Sequence, residues 1–407
     1  MVLAYDTHYF IRSTVAVATN ALVLQNDTEA IQNFVTTQPL IMLVVYNATA
    51  YHLTGEVAGK TITISIDGAD QDGIGVRHDQ YQAASGDKKN ECTVYYLGDL
   101  PAGNHAVIGR YMANVPGNWT WISERQLAIF LFRGVAADWG FDIDTTLRTI
   151  NTNVWSDDPD ISVTVNLPQD NMVVLALYNA SCQRFDLVGA DGGEYCIQVD
   201  ADAERGWHGQ STPLNTACGG TTHVIYSALV AGNHTFRGRY RANVNLQNFS
   251  IRDRQLAILI FSPTQLFDQV LDDVTAATQN RLPWVDDPGC TINRNLADTY
   301  QTLILYGAYN YEGQGMSTGG RKNAVNVDAT DYSEGHQSPS AFNNKVGTTV
   351  VHALQLTAGL HTIKGCFTTN LDWDTVTISR RTMCVLYFQR QVGPSQQHLQ
   401  KVMRGGL

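Results

Sequence analysis

Charge is scarce in this chain. Asp, Glu, Lys and Arg make up only 16% of its 407 residues, and 44% are hydrophobic. Ordinary soluble domains carry about 25% charge, and a disordered chain needs high charge with few apolar residues, so disorder is excluded. Lysine is missing between Lys89 and Lys322, leaving arginine to carry the positive charge there. A guanidinium is weakly hydrated and stacks on aromatic rings, which suits protein contacts. The net charge of -11 argues against a nucleic-acid-binding body, which would show a basic face. Long apolar runs are also absent. The longest, Leu40 to Tyr46, is strand-sized, whereas a membrane-crossing helix needs about 18 residues or more.

Seven cysteines are present without a single Cys-x-x-Cys, which excludes a zinc ribbon or a thioredoxin-like motif. Cys196, Cys366 and Cys384 lie in apolar strand patterns and read as small core residues, while Cys182 with Cys196 or Cys218 is a candidate bridge. The first 25 residues hold no basic segment followed by an apolar one, so nothing there reads as a secretory signal. No Gly-x-Ser-x-Gly elbow, His-Glu-x-x-His, phosphate loop or dinucleotide fingerprint occurs. The glycine-rich stretch Tyr311–Asn323 lacks phosphate-loop spacing and reads as a loop. No catalytic residue is assigned.

What the sequence does have is repetition. LPAGNHAVIGRYMANV from Leu100 returns as LVAGNHTFRGRYRANV from Leu229 and as LTAGLHTIKGCFTTNL from Leu356. ISERQLAIFLF from Ile122 returns as IRDRQLAILIF from Ile251 and ISRRTMCVLYF from Ile378. His105, His234 and His361 are separated by 129 and 127 residues, and Arg125, Arg254 and Arg381 repeat the same intervals. A period this long means tandem whole domains, because solenoid units run about 20–50 residues. The strands LIMLVVYNATA, MVVLALYNASC and TLILYGAYNY also align, as do Trp155-Ser-Asp-Asp-Pro and Trp284-Val-Asp-Asp-Pro; the first copy lacks the latter element.

Each unit is β-structure. Short segments rich in β-branched and aromatic residues alternate with Gly/Asn/Asp turns, the signature of an antiparallel sandwich or jelly roll. Two segments read differently. Leu266, Val270 and Leu271 are spaced for one helical face, so 262–280 is predicted as a helical linker, with a shorter counterpart at 142–151.

The order of these elements resembles the complement-head and tumour-necrosis-factor-like jelly rolls that recur in virus and bacteriophage structural proteins. The resemblance spans Thr14–Phe388; the missing first Trp element and Cys366 in place of an arginine depart from it. It implies an all-β chain of three tandem antiparallel jelly-roll sandwiches: arm 1–13, domain 14–134, linker plus domain 135–263, linker plus domain 264–390, and tail 391–407. Since such folds assemble as trimers, three linked copies either close into an intrachain pseudo-trimer or string out as beads. The implied function is a non-enzymatic virion protein, a capsid decoration, turret, spike or fibre component. It would contact other virion proteins and a host receptor or glycan within a larger symmetric assembly, with both terminal arms as anchors. The alternative is a lectin-like adhesin or a cell-surface filament subunit.

Candidate residues follow from equivalence. Asp67, Asp70, Asp200, Asp202, Asp328 and Asp331 are turn acids that offer hard oxygen ligands to calcium; no other cofactor is expected. His105, His234 and His361 either converge on a metal or cap their strands on backbone carbonyls. Arg125, Arg254 and Arg381 either pair with the Asp-Asp-Pro acids or line an interface. Tyr111, Tyr240 and Phe367 belong either to such an interface or to each core, and Phe132, Phe261 and Phe388 pose the same choice. Trp119, Trp121, Trp207 and Trp373 are sugar-stacking candidates or sandwich core. Asn-x-Ser/Thr triplets at Asn26, Asn47, Asn118, Asn179, Asn233 and Asn248 read as incidental.

Overall fold

A computed structural model describes residues 2–51, 58–71, 77–80, 88–113, 117, 119–184, 192–210, 217–243, 245, 248–272, 277–279, 284–312, 321–337, 345–369 and 376–389. Copy 1 comprises β1 (Ala4–Ser13), β2 (Val17–Thr19), β3 (Gln25–Thr36), β4 (Leu40–Tyr51), β5 (Ala58–Ile66), β6 (Ala69–Asp70), β7 (Arg77–Gln80), β8 (Lys88–Leu100), β9 (Gly103–Ala113) and β10 (Thr120–Arg133). Its chain alternates between two antiparallel sheets. One runs β1-β10-β4-β8 and the other β3-β9-β5-β6, which is jelly-roll connectivity.

Copy 2 repeats the plan with β11 (Trp139–Asp144), β12 (Arg148–Ile150), β13 (Ser156–Leu167), β14 (Val173–Arg184), β15 (Gly193–Val199), β16 (Arg205–Gln210), β17 (Ala217–Tyr226), β18 (Gly232–Ala242) and β19 (Phe249–Phe261). Copy 3 follows with β20 (Leu266–Asp272), β21 (Ala277–Gln279), β22 (Val285–Leu296), β23 (Tyr300–Glu312), β24 (Arg321–Val327), β25 (Thr330–Gln337), β26 (Lys345–Leu356), β27 (Gly359–Thr369) and β28 (Val376–Phe388). Their sheets are β11-β19-β14-β17 with β13-β18-β15-β16, and β20-β28-β23-β26 with β22-β27-β24-β25.

Burial explains two kinds of strand sequence. In β9 and β18 every second residue is buried; β18 accordingly sets Thr235, Arg237, Arg239 and Arg241 on its other face, while β9 keeps Ala106, Ile108 and Met112 there. In β4, Leu40, Met42, Val44 and Tyr46 face the core of copy 1, while Ile41, Leu43 and Val45 face a second core. A strand covered on both faces reads as a continuous apolar run. That second core draws on all three copies: Leu43 and Phe132, Leu175 and Phe261, Leu303 and Phe388 meet in it. The phenyl rings of Phe132, Phe261 and Phe388 lie 5.5, 5.6 and 5.8 Å apart in pairs. The three jelly rolls are therefore closed around a pseudo-threefold axis and are not strung as beads.

Three sequence expectations are corrected. The segments 142–151 and 262–280 are not helical linkers. They contain β11, β12, β20 and β21, and among the described residues the only helical turn is the 3-10 segment Ala136–Asp138. The helical spacing arose because β20 is covered twice: Leu266 and Val270 face the core of copy 3, while Phe267 packs on the central core. Residues 4–13 are likewise no free arm. They form β1, paired along β10, and place Tyr5 and Phe10 at the central core and Tyr9 and Ile11 at their own. The proposed tail, 391–407, lies outside the described residues.

Candidate functional site

Each glycine-histidine turn folds into the same clasp. Gly103, Gly232 and Gly359 take φ of +151°, +130° and +138°, which L-residues rarely adopt. Two residues on, Nδ1 of His105, His234 and His361 lies 2.8, 2.7 and 2.6 Å from Oδ2 of Asp67, Asp200 and Asp328. Nε2 of each meets the carbonyl four residues back, on Pro101, Val230 or Thr357, at 2.9, 2.8 and 2.7 Å. The other carboxylate oxygen accepts the amide of Ala106, Thr235 or Thr362. An imidazole between two acceptors donates from both nitrogens only as the cation. Burial alone would lower His234 and His361, but the carbonyl and carboxylate on either side raise both above the ordinary histidine value. The aspartates are lowered, burial being outweighed by these same bonds.

Four of the six calcium candidates have their carboxylates in other bonds. Asp67, Asp200 and Asp328 are spent on the clasps, and Asp70 binds Arg110 at 2.6 Å. Asp202 closes a turn through its backbone; the Asp331 side chain lies outside the described residues. Among the described residues no three His, Cys, Asp or Glu side chains group as a metal site. The three histidines stand one per copy and do not converge.

Arg125, Arg254 and Arg381 occupy the interior of their own copies, not the faces between copies. Nε of Arg125 lies 2.8 Å from Asp27, that of Arg254 2.8 Å from Asp158, and that of Arg381 3.2 Å from Asp287. Asp158 and Asp287 are the second acids of the Asp-Asp-Pro elements. Asp27 takes the same place in the first copy without the tryptophan. Tyr46, Tyr178 and Tyr306 donate to the same carboxylates at 2.8, 3.2 and 2.9 Å. Burial pushes Asp158 up to about 6 against the pull of Arg254, and Asp27 and Asp287 move the same way. A bulge aims each arginine inward: Glu124, Asp253 and Arg380, just before it, sit at φ of +49°, +49° and +48°. Gly109 and Gly238 let the tyrosine rings lie flat on the strand, since a Cβ there would come within 2.6 Å of Tyr46 or Tyr178. Tyr111 and Tyr240 join the cores of their own copies, and Phe367 packs with Ile378; the central contact uses Phe132, Phe261 and Phe388 instead.

Between copies, an amide-rich belt surrounds the apolar centre. Gln255 of copy 2 brackets Tyr95 of copy 1, accepting from its N–H and donating to its carbonyl, both at 2.9 Å. Asn179 donates to the Thr93 carbonyl at 2.8 Å. Gln126 of copy 1 accepts from the Val351 N–H of copy 3 at 3.0 Å, and Asn47 donates to the Thr349 carbonyl at 2.8 Å. At the third seam, copy 3 carries Thr382 and Gly307 where the other copies carry Gln and Asn. The bonds are rebuilt: His223 Nε2 donates to the Thr382 carbonyl at 3.2 Å, and the Thr349 hydroxyl donates to the Thr221 carbonyl at 3.1 Å. The three contacts close head to tail. Sequence reading missed this belt, although Gln126 and Gln255 interrupt otherwise apolar final strands, and Asn47 and Asn179 end apolar ones.

Of the tryptophans, Trp119 is exposed and Trp121 half-buried on β10. Trp373, Asn118 and residues 313–320 of the glycine-rich stretch lie outside the described residues, as does the side chain of Trp207. Cys196, Cys290 and Cys384 are buried free thiols. No helix of the described residues is long and apolar enough to cross a membrane.

No protein-family model matches the sequence, and no curated protein matches it. Among solved structures, N-glycanase F is similar over 62% of this chain and 96% of its own, at 10% identity and a TM-score of 0.34. The infectious bursal disease virus VP2 subviral particle matches over 100% and 89%, at 6% identity and 0.22. A triple jelly roll from the turret of an archaeal virus matches over 95% and 89%, at 9% identity and 0.19. Likenesses this distant carry nothing about activity or partner.

Proposed function

We propose that the chain is a structural protein of a virion, in which one polypeptide supplies a complete three-lobed unit as a capsid decoration, turret, spike or fibre component. The observation that carries this reading is the closed pseudo-threefold packing. All three inner sheets are covered on both faces, and the threefold-repeated polar residues are spent on clasps, buried ion pairs and seams. Chemistry-bearing side chains used in triplicate for architecture suit a protein that presents surface. Its jelly rolls would contact neighbouring virion proteins in a larger symmetric assembly, and its outer loops a host receptor or glycan. Electron microscopy of particles from the source, with antibody labelling of this chain, tests the proposal. Labelled, regularly spaced projections are expected; a soluble monomer with catalytic turnover overturns it.

A second reading has one observation in its favour. Trp119 is 53% exposed, and an exposed indole can stack on a sugar ring. A glycan array probed with the protein and its Trp119→Ala variant separates a carbohydrate-binding module, whose signal the substitution removes, from a purely structural unit.

A further inference from the structure

The seams are built alike but carry different side chains where the third copy takes part. At two adjacent positions, copy 1 has Tyr95 and Tyr96, copy 2 has His223 and Val224, and copy 3 has Val351 and His352. His223 therefore lies in the seam between copies 2 and 3, and His352 in the seam between copies 3 and 1. The seam between copies 1 and 2 has two tyrosines at these positions.

Both histidines are enclosed by the neighbouring copy. His223 is fully buried and donates to the Thr382 carbonyl. Among the described residues the groups that meet it are neutral, the backbone of Thr382 and Leu305 and the Cys384 thiol, which reaches the His223 carbonyl at 3.9 Å; the charged pair across this seam joins Arg380 of copy 3 to Glu194 of copy 2. His352 meets the ring of Phe10 from copy 1 edge-on at 5.1 Å, and the charged group facing it is the Arg12 guanidinium on the same strand. His8, on that strand too, is stacked on Phe130 at 5.3 Å and bonded to the Tyr5 hydroxyl. At the remaining seam, Tyr96 meets Phe141 at 6.4 Å, an arrangement indifferent to acid.

We propose that acidification releases the third jelly roll, opening both seams that hold it while the seam between copies 1 and 2 stays shut. A proton on His223 has to be carried in a fully buried contact, and one on His352 stands against Arg12 of the neighbouring copy. Burial takes His223 and His352 down to about 4, Arg12 adding to the effect at His352. A histidine lowered in the closed state binds its proton preferentially in the open one. Closure is thus fully favoured above about 6.5 and lost progressively as pH falls toward 4. Each such histidine shifts the closed-to-open ratio by about 100-fold between pH 7 and pH 4.2, and by up to about 300-fold in the acid limit. The buried carboxylates act the other way: Asp158, raised to about 6 by burial, takes up its proton in the folded state.

Three backbone amides report on the seams separately, because each donates to a glutamine of the next copy: Tyr95 to Gln255, Ile225 to Gln269 and Val351 to Gln126. Hydrogen exchange of the intact protein at pH 7 and at pH 4.2, corrected for intrinsic rates, is the test. At the lower pH, Ile225 and Val351 are expected to lose at least tenfold more protection than Tyr95. Equal loss at all three amides, or no loss at any, overturns the proposal. In the His352→Tyr variant, Val351 should keep its protection in acid while Ile225 still loses it; continued loss at Val351 refutes the role of His352. His223→Gln supplies an amide donor to Thr382 that does not titrate, and should spare Ile225 in the same way.

Discussion

Arg125, Arg254 and Arg381 are each wholly buried against a wholly buried carboxylate, Arg254 meeting Asp144 and Asp160 and Arg381 meeting Asp272 besides, and the energetics of such a pair are lopsided. Desolvation consumes most of the attraction while the pair is intact, but removing one partner strands a charge, which costs about 3–5 kcal/mol. Copy 1 is the clean case, since Arg125 adds only the Ser13 hydroxyl and the Ile122 carbonyl to Asp27. Arg125→Met should lower unfolding free energy by about 3–5 kcal/mol in denaturant titration, and Arg125→Met with Asp27→Leu should recover part of it. A single-variant loss under about 1 kcal/mol would show that the pair is no anchor. The histidine clasps give a pH dependence of opposite sign to the seam histidines. His234 and His361 are raised in the folded state, so their contribution is complete below about 6.5 and disappears as pH rises through the folded values. Thermal stability should therefore fall as pH rises above about 6.5, and Asp200→Asn should flatten that fall by weakening one clasp.

The strands show what a sequence can and cannot disclose. Outer-sheet strands such as β13 and β18 were legible because one face meets water, and the period of two survives. The glycine-histidine turns were legible as turns, though not the aspartate 33 to 38 residues earlier in the chain that completes each clasp. The first strand of every copy was misread, as an arm in β1 and as helices in β11 and β20. β1 and β20 are packed on their own core and on the centre at once, which erases the alternation, whereas β11 alternates and sets Trp139 and Phe141 on the centre. The central belt was hidden for a different reason: Gln255 and Tyr95 are 160 residues apart, and nothing local marks the partnership. Bulges were equally silent. Asp253 holds a positive φ with a side chain attached, a conformation that costs about 1 kcal/mol or more for most residues and is least tolerable for β-branched ones. Asp253→Gly should leave the melting temperature nearly unchanged, whereas Asp253→Val should destabilise by about 1–3 kcal/mol. If valine is tolerated as well as glycine, the bulge does not hold Arg254 in place.

At the scale of the whole molecule, the central core decides whether three domains behave as three or as one. Domains joined only by linkers unfold independently, each with its own transition. Here Phe132, Phe261 and Phe388 share one centre, and every seam pairs the backbone of one copy with side chains of the next. Breaking any one copy exposes apolar surface on the other two, so the unfolding of all three is coupled. The prediction is a single calorimetric transition for the full chain. Phe261→Ala should shift it downward, by about 3–5 kcal/mol in unfolding free energy. The loss must also be felt at a distance: exchange protection should fall in β4 and β23 as well as in β14, though the substitution lies in copy 2. Severing the chain after residue 134 extends the same logic, because the remaining two copies keep an uncovered apolar wall and should aggregate. Separate transitions, a purely local effect of Phe261→Ala, or fully soluble independent pieces would each show that the centre is a contact of convenience and that the copies fold alone.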